Sequence, residues 1–492
     1  MSTSKNQSSL YSTIVRGSSV YGIALLVQRL MGFVMLPVYT RYLTPEDYGI
    51  LELLDLSMVI CGMLLGQHFC AGLAFYYSRG TTSTERNQLV STSVLTAIGI
   101  GVAGASIMTG VAPYLGLWLF ESNSYTGYVY LTFWTFTFLV PLETSLFVLR
   151  VLDRQKSFVF ISLSRLLAAA FLSCYYLIVL NKGLWGFLCS NLIATASFAA
   201  LATVEVLRQS GWRYDRRVLG RLMNWAVPVT LSEAAMFSIH YADRFVLNRY
   251  VGLHSLGLYS LAYKFGMLVS YIQAAFQMYW SAHMYEVLKR EDREMIFSRL
   301  FTYLIAIMST CVVAIVLFAR PLLELLTTVT FVPASAMIPW IAGAYVLRAA
   351  GEFFRTALYV ANKPMRASQL NWFAAAVCLG GYAVFIPAFE VWGAIGATWL
   401  GFGALCFASW FHGSRQIRFT LEWSRLGKVF GACGVGLLLG RWVPEGYVVL
   451  EIVVGGGILL VVFCVAWLLR CADDEETRIA KRVWSKVTAV VG

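Results

Sequence analysis

Long apolar stretches alternate with short polar ones along the whole chain. An α-helix needs about 20 mostly apolar residues to cross a bilayer, and this length criterion gives fourteen candidate spans. The predicted spans are 18–40, 48–77, 88–111, 126–149, 157–180, 184–206, 222–248, 255–285, 299–319, 335–361, 367–387, 392–412, 427–443 and 447–469. The pattern therefore predicts an all-α polytopic membrane protein.

The positions of the basic residues give these spans an orientation. Lys and Arg are favoured in short cytoplasmic loops. With the N-terminus inside, 27 of the 38 Lys and Arg fall in cytoplasmic segments or at cytoplasmic span ends, five in external loops or at external span ends, and six deep within spans. This asymmetry predicts that both termini are cytoplasmic. It also accounts for the net charge of +12 without a nucleic-acid partner.

Composition excludes several other classes of protein. With 59% hydrophobic and 13% charged residues, the chain is too apolar for a soluble protein of this length. The ten cysteines form no CxxC and the five histidines no HExxH, so no metal site or cofactor is expected. No loop exceeds about fifteen residues, which argues against an enzyme with an external catalytic domain.

The two ends of the chain are polar. The apolar run after residues 1–17 is full length and is interpreted as a first span rather than a cleaved signal peptide. The tail, 471–492, places apolar residues on one helical face among basic ones. It is either an interfacial amphipathic helix or a frayed basic tail.

An internal repeat relates the two halves of the chain. At an offset of 208 residues, Arg41 matches Arg249, Tyr42 matches Tyr250 and Gly49 matches Gly257, and further matches follow at offsets of 209 and 210. Two six-span copies with two appended spans are therefore predicted. The expected divisions are an N-terminal lobe 1–210, a C-terminal lobe 211–415, two extra helices 416–470 and the tail 471–492. Transporters are often built from such repeats, with the substrate site between them.

Charged residues lie at membrane depth, where each costs about 2.5–3.5 kcal/mol at a helix centre. They must face a polar cavity or pair with one another. The candidate anion-binding cations are Arg29, Arg165, Arg244, Lys264, Arg348 and Arg355. The candidate ion-coupling acids are Glu52, Asp55, Asp243 and Glu352, and Glu143 and Glu233 lie at similar depth. Internal pairing remains the alternative, above all for Asp243–Arg244 and for Arg348–Glu352–Arg355.

Two segments carry a resemblance to a known family. The segment RYLTPEDYGILEL and the longer WAVPVTLSEAAMFSIHYADRFVLNRYVGLHSLGLYSLAYKFGMLV resemble bacterial polysaccharide and O-antigen flippases. These belong to the multidrug/oligosaccharidyl-lipid/polysaccharide exporter (MOP) superfamily. The most specific positions are Asp243, Arg244, Gly257, Tyr259, Ser260 and Ala262.

The resemblance implies a V-shaped pair of six-helix lobes around a central cavity. The first, second, seventh and eighth predicted spans would line this cavity, and the last two spans would form a lipid-facing groove. It implies an undecaprenyl-pyrophosphate-linked oligosaccharide, flipped across the bacterial inner membrane for surface polysaccharide such as the O-antigen of lipopolysaccharide. Arg29, Arg244 and Lys264 would meet the headgroup or acidic sugars. Membrane lipids, a polysaccharide polymerase and a chain-length regulator would be partners.

Three other functions fit parts of the pattern. A membrane-embedded polysaccharide polymerase or glycosyltransferase would need catalytic residues in larger external loops. A cation-coupled drug exporter of the same superfamily would suit twelve spans and an acidic cavity better. A peptidoglycan-precursor flippase shares the fourteen-span plan, and only substrate data would separate it.

Overall fold

The computed structural model describes residues 27–28, 30–79, 82–287, 292–361, 363–417, 421–440, 442 and 447–468. These residues form helices joined by short turns, and no strand occurs among them. The chain divides into two compact units, Met1–Gly257 (unit 1) and Leu258–Gly492 (unit 2). The cation Arg29 and the predicted amphipathic tail, 471–492, lie outside the described residues.

Unit 1 contains seven helices and the first part of an eighth, counted over the described residues. They are α1 (Leu36–Tyr42), α2 (Pro45–Leu64), α3 (Cys70–Arg79), α4 (Ser83–Phe120), α5 (Thr126–Val151), α6 (Gln155–Cys174), α7 (Gly183–Ser210) and α8 (Arg216–Gly266), which continues into unit 2. A 3-10 turn at Gln67–Phe69 joins α2 to α3, and the two helices are bent by 61°. Predicted span 48–77 is therefore a broken helix.

Local sequence explains where α2 and α4 begin. Thr44 and Asp47 form a capping box at the start of α2, and Pro45 occupies the first turn, where its missing N–H costs nothing. Thr82 and Glu85 form the same arrangement at the start of α4. Such reciprocal hydrogen bonds satisfy backbone N–H groups that have no partner within the helix.

The helix α8 is interrupted at Gly252, where φ is 78° and ψ 176°. Glycine adopts this conformation without the steric cost that a Cβ imposes. The break at Gly252 separates predicted span 222–248 from predicted span 255–285. Span 255–285 is itself interrupted between the end of α8 at Gly266 and the start of the next helix at Leu268.

Unit 2 contains the remaining helices among the described residues. They are α9 (Leu268–Val287), α10 (Arg293–Leu326), α11 (Ile338–Val360), α12 (Pro364–Gly413), α13 (Trp423–Gly440) and α14 (Val448–Leu468). The long helix α12 breaks at Glu390, where φ is 53°. This break divides it into the two spans predicted at 367–387 and 392–412.

Aromatic side chains fill the core of unit 2. The ring of Trp280 on α9 lies 4.9 Å from Phe297 and 6.0 Å from Phe353, between ring centroids. A second cluster joins α10 to the two appended helices, because Val313 packs with Val429 and Val462. Gly436 and Gly440 on α13 lie against this cluster, since a Cβ at Gly436 would meet Val462 and one at Gly440 would meet Leu317; small residues allow membrane helices to approach closely.

The described helices match the predicted membrane layout. From the second predicted span onward, every span coincides with a helix or a broken helix. Within the described residues, six helices are long and apolar enough to cross a membrane, and two bent pairs raise this number to eight. Large apolar side chains such as Phe171 and Phe407 are exposed, as lipid-facing residues are in membrane helices. The chain is a multi-pass, all-helical membrane protein.

Candidate functional site

Arg244 on α8 lies at the centre of a charged cluster within unit 1. Its side chain is 1% exposed, and its Nε donates a hydrogen bond to Glu52 Oε1 at 3.1 Å. Its Nη1 donates to Asp243 Oδ1 at 2.6 Å and to the backbone carbonyl of His240. The guanidinium also lies 5.1 Å from the ring centroid of Tyr241. Charged and polar partners thus satisfy a cation that would otherwise be too costly to bury.

Glu52 reaches this cluster from α2. The capping box fixes the start of that helix, with the Asp47 backbone N–H donating to Thr44 Oγ1 at 3.2 Å and the Thr44 N–H donating to Asp47 Oδ2 at 2.8 Å. The Glu52 side chain is 17% exposed, so it is more accessible than Arg244. Asp55, three residues further along, is exposed.

The helices α2 and α8 approach most closely at the repeated sequence. A Cβ at Gly49 would collide with the backbone oxygen of Leu253, and a Cβ at Gly257 would collide with that of Pro45. Pro45 and Leu253 are 208 residues apart, as Gly49 and Gly257 are. The two contacts are therefore equivalent halves of one symmetric interface, here called the glycine corner. This close approach brings Glu52 within reach of Arg244.

Two more contacts join α8 to the end of α4. Asn248 Nδ2 donates to the backbone carbonyl of Leu119, and Arg249 Nη1 donates to the Glu121 carboxylate. The Arg249 and Glu121 side chains are 71% and 67% exposed, so solvent screens this ion pair. The contacts border a cavity of about 660 Å³, whose lining includes Trp118, Phe245 and Tyr250.

A second charged cluster lies within unit 2. Its centre is Glu352 on α11, whose Oε1 is 3.2 Å from Arg348 Nη2 and 3.7 Å from Arg355 Nη2. Arg355 Nη1 also donates to Asn371 Oδ1 on α12. Internal pairing, the alternative raised by the spacing of these residues, is what the structure shows. The cluster ties α11 to α12.

Removing the carboxylate from this second cluster is expected to destabilise the protein. Glu352→Gln leaves the guanidinium groups of Arg348 and Arg355 close together without their shared counter-charge. We expect a loss of about 2–3 kcal/mol, because the three side chains are mostly buried. The midpoint of thermal unfolding in detergent measures it. Glu324→Gln, in the more exposed pair with Arg320, is the control and should cost under about 1 kcal/mol.

The hydrogen bonds and ion pairs given above for the two clusters do not involve Lys264, Arg165, Glu143 or Glu233. Lys264 is exposed on the part of α8 that belongs to unit 2. Arg165 on α6 is half-buried, and its Nε is buried without a hydrogen bond among the described residues. Glu143 and Glu233 are exposed. The structure thus brings together Glu52, Asp243 and Arg244 in unit 1, and Arg348, Glu352 and Arg355 in unit 2.

Sequence reasoning missed the uncharged members of both clusters, the His240 carbonyl and Asn371, and also Asn248, which joins α8 to the end of α4. These groups carry no formal charge, so a search for ionised groups at membrane depth passes over them. An amide within a predicted span would have been a usable signal for Asn371 and Asn248, since such groups need partners in lipid. Within the described residues, no group of three or more His, Cys, Asp or Glu could hold a metal ion.

Comparisons with known structures agree with this architecture. The fold is similar to that of a lipid II flippase, MurJ, in an inward closed conformation, with a TM-score of 0.71, 13% identity, and coverage of 90% of this chain and 97% of that one. It is similar to an inward-facing multidrug resistance MATE family transporter of the MOP superfamily, with a TM-score of 0.63, 15% identity and coverage of 84% and 99%.

A third structure, a MOP superfamily transporter from Pyrococcus furiosus, matches with a TM-score of 0.53, 14% identity and coverage of 85% and 96%. At these identities the similarity establishes the fold. A search of curated protein sequences finds no significant match. The family model for polysaccharide biosynthesis proteins matches residues 14–279, more than half of the chain. The chain therefore belongs to the polysaccharide biosynthesis protein family and has the MOP superfamily transporter fold.

Proposed function

We propose that the protein flips oligosaccharide units linked to undecaprenyl pyrophosphate across the bacterial inner membrane, by alternating access, for surface polysaccharide such as O-antigen. The observation that carries the proposal is the buried Arg244 cluster. It lies on α2 and α8, which contain most of the second and seventh predicted spans, and the family resemblance implies that these spans line the cavity. A guanidinium there suits a phosphate-bearing substrate, because it binds phosphate oxygens through two parallel hydrogen bonds.

The residue roles follow from accessibility. Arg244 is held by Glu52 and Asp243 in this conformation, and Glu52 is the more exposed of the two carboxylates. We propose that Glu52 releases Arg244 during the cycle, when a proton, a cation or the anionic headgroup arrives. Arg29 and Lys264 are proposed to contact the same headgroup, and Asp55 and Asp243 to serve ion coupling. In unit 2, Arg348 and Arg355 are held by Glu352, which favours a structural role for all three.

The wider organisation is part of the proposal. Both termini are placed in the cytoplasm on the strength of the Lys and Arg distribution. Movement of the lobes 1–210 and 211–415 would open the substrate cavity to one side of the membrane and then to the other. The helices in 416–470 are appended to these lobes. A polysaccharide polymerase and a chain-length regulator would act on the flipped product. The protein itself would not be an enzyme.

Deleting the gene tests the proposal. Surface polysaccharide should be lost while undecaprenyl-linked oligosaccharide accumulates on the cytoplasmic side, because the flipping step is missing. Extraction and mass spectrometry of lipid-linked intermediates measures the accumulation, and a plasmid copy of the gene should reverse it. Normal surface polysaccharide in the deletion strain, with no second exporter present, would contradict the assignment.

A second candidate is a flippase for a peptidoglycan precursor, favoured by the similarity to the MurJ fold. It predicts that the chain restores growth to cells depleted of their own lipid II flippase. The polysaccharide assignment predicts no such rescue. Labelling of externally exposed lipid II distinguishes the two, since only the second candidate restores it.

A further inference from the structure

A groove runs between the first turns of α6 and the C-terminal half of α7 in unit 1. It encloses a cavity of about 880 Å³, within the range of about 300–1,000 Å³ typical of small-ligand sites. The two ends of the groove differ in polarity. Charged residues line one end, and apolar residues line the part that continues towards the middle of both helices.

Two exposed cations form the charged end. Lys156 lies in the first turn of α6, and Arg208 lies in the last turn of α7. Glu205 shares this end, where its Oε1 accepts a hydrogen bond from Ser157 Oγ at 2.6 Å. That bond fixes the carboxylate against α6. With two cations and one carboxylate among these side chains, the charged end favours an anion.

The apolar part of the groove is formed by side chains that the structure leaves exposed. Phe160 is 63% exposed, Leu201 47% and Val204 38%. Leu201 lies seven residues before Arg208, or about 10 Å deeper along the helix at 1.5 Å per residue. A ligand that fills the groove must therefore combine an anionic head with apolar chains about 10 Å or more in length.

We propose that this groove binds an anionic phospholipid of the cytoplasmic leaflet. Lys156 and Arg208 both fall in segments predicted to be cytoplasmic, so the charged end meets the headgroup layer and the apolar part meets the acyl chains. Basic pockets between membrane helices on this side recognise anionic headgroups in general. The proposed ligand is a bilayer lipid, and the site is separate from the Arg244 cluster proposed for transport.

Native mass spectrometry of the full chain in detergent tests the proposal. The probes are phosphatidylglycerol and phosphatidylcholine with the same acyl chains, each titrated against the purified protein. Phosphatidylglycerol should bind more tightly. The double variant K156Q/R208Q should weaken its binding about thirtyfold, since each basic side chain near a headgroup contributes about fivefold. The matched control R213Q/R217Q removes two exposed arginines on the same predicted side, outside the groove, and should change binding less than threefold.

A further variant is expected to strengthen lipid binding, which a misfolded protein would not do. Glu205→Gln removes the carboxylate from the charged end and can still accept from Ser157, so phosphatidylglycerol should bind about fivefold more tightly. Three results would overturn the proposal: equal binding of the two lipids, equal losses in K156Q/R208Q and the control, or no change in any variant. Displacement of phosphatidylglycerol by an equimolar amount of farnesyl pyrophosphate would also overturn it, because the groove would then be a site for the prenyl carrier.

Discussion

Replacing Arg244 with alanine is expected to abolish transport and to destabilise the protein by about 3–5 kcal/mol, because Glu52 and Asp243 would be left as buried carboxylates without their cation. Arg244→Lys separates the two effects. Lysine keeps the charge but lacks the planar fork that serves two carboxylates at once. We expect it to fold at near-normal amounts while transport falls at least about tenfold.

Complementation of the deletion strain, with membrane protein amounts measured by immunoblot, distinguishes these outcomes. Arg249→Lys is the matched control, since Arg249 lies on the same helix in an exposed ion pair with Glu121. It should leave protein amount and transport close to wild type. Full transport by both Arg244 variants at normal protein amounts would show that the cluster has no part in the cycle.

Adding a single methyl group at the glycine corner should have the second-largest effect. Gly257→Ala places a Cβ against the backbone oxygen of Pro45, and Gly49→Ala places one against that of Leu253. A backbone oxygen cannot rotate away as a side chain can, so the helices α2 and α8 must separate. We expect each variant to lose about 1–3 kcal/mol, and transport to fall because Glu52 moves away from Arg244.

Gly99→Ala is the control for this prediction. Gly99 lies within α4, and a Cβ there would meet no atom within 4 Å. Alanine is the better helix former, so this variant should be neutral or more stable by up to about 1 kcal/mol. Thermal unfolding midpoints in detergent give the comparison. If all three glycine variants behave alike, the close contact at the corner is not what limits stability.

The helices of this protein could be predicted from its sequence because a membrane imposes one length scale on every span. Predicted span 184–206 begins one residue after the observed start of α7 at Gly183, and the predicted loop 207–221 contains the end of α7 at Ser210 and the start of α8 at Arg216. The break at Glu390, where φ is 53°, falls in the predicted turn between spans 367–387 and 392–412. The bend of 61° within predicted span 48–77 was not predicted, because a span is recognised by its apolar length, which a bend does not alter.

The sequence predicted which charged residues belong to the candidate site, but not all of the contacts between them. Membrane depth indicated that Arg244 needs a partner, and Asp243 beside it was an evident choice. Glu52 lies 192 positions away in the sequence, and its contact depends on how closely two helices approach. That distance is decided by two glycines whose importance is visible only once their neighbours are known. For Arg348, Glu352 and Arg355 the partners are one turn apart, so their spacing already raised internal pairing as an alternative.

The glycine corner has the geometry of a subunit interface in a two-fold dimer, although it lies within one polypeptide. In a true dimer every ion pair beside the axis would occur twice, because each gene change alters both subunits. Here the residue equivalent to Glu52 is Ser260, and the one equivalent to Arg244 is Leu36. Because the two copies are fused in one chain, the Arg244–Glu52 ion pair occurs once beside a symmetric contact. It can therefore open without a second, symmetry-related ion pair having to open as well.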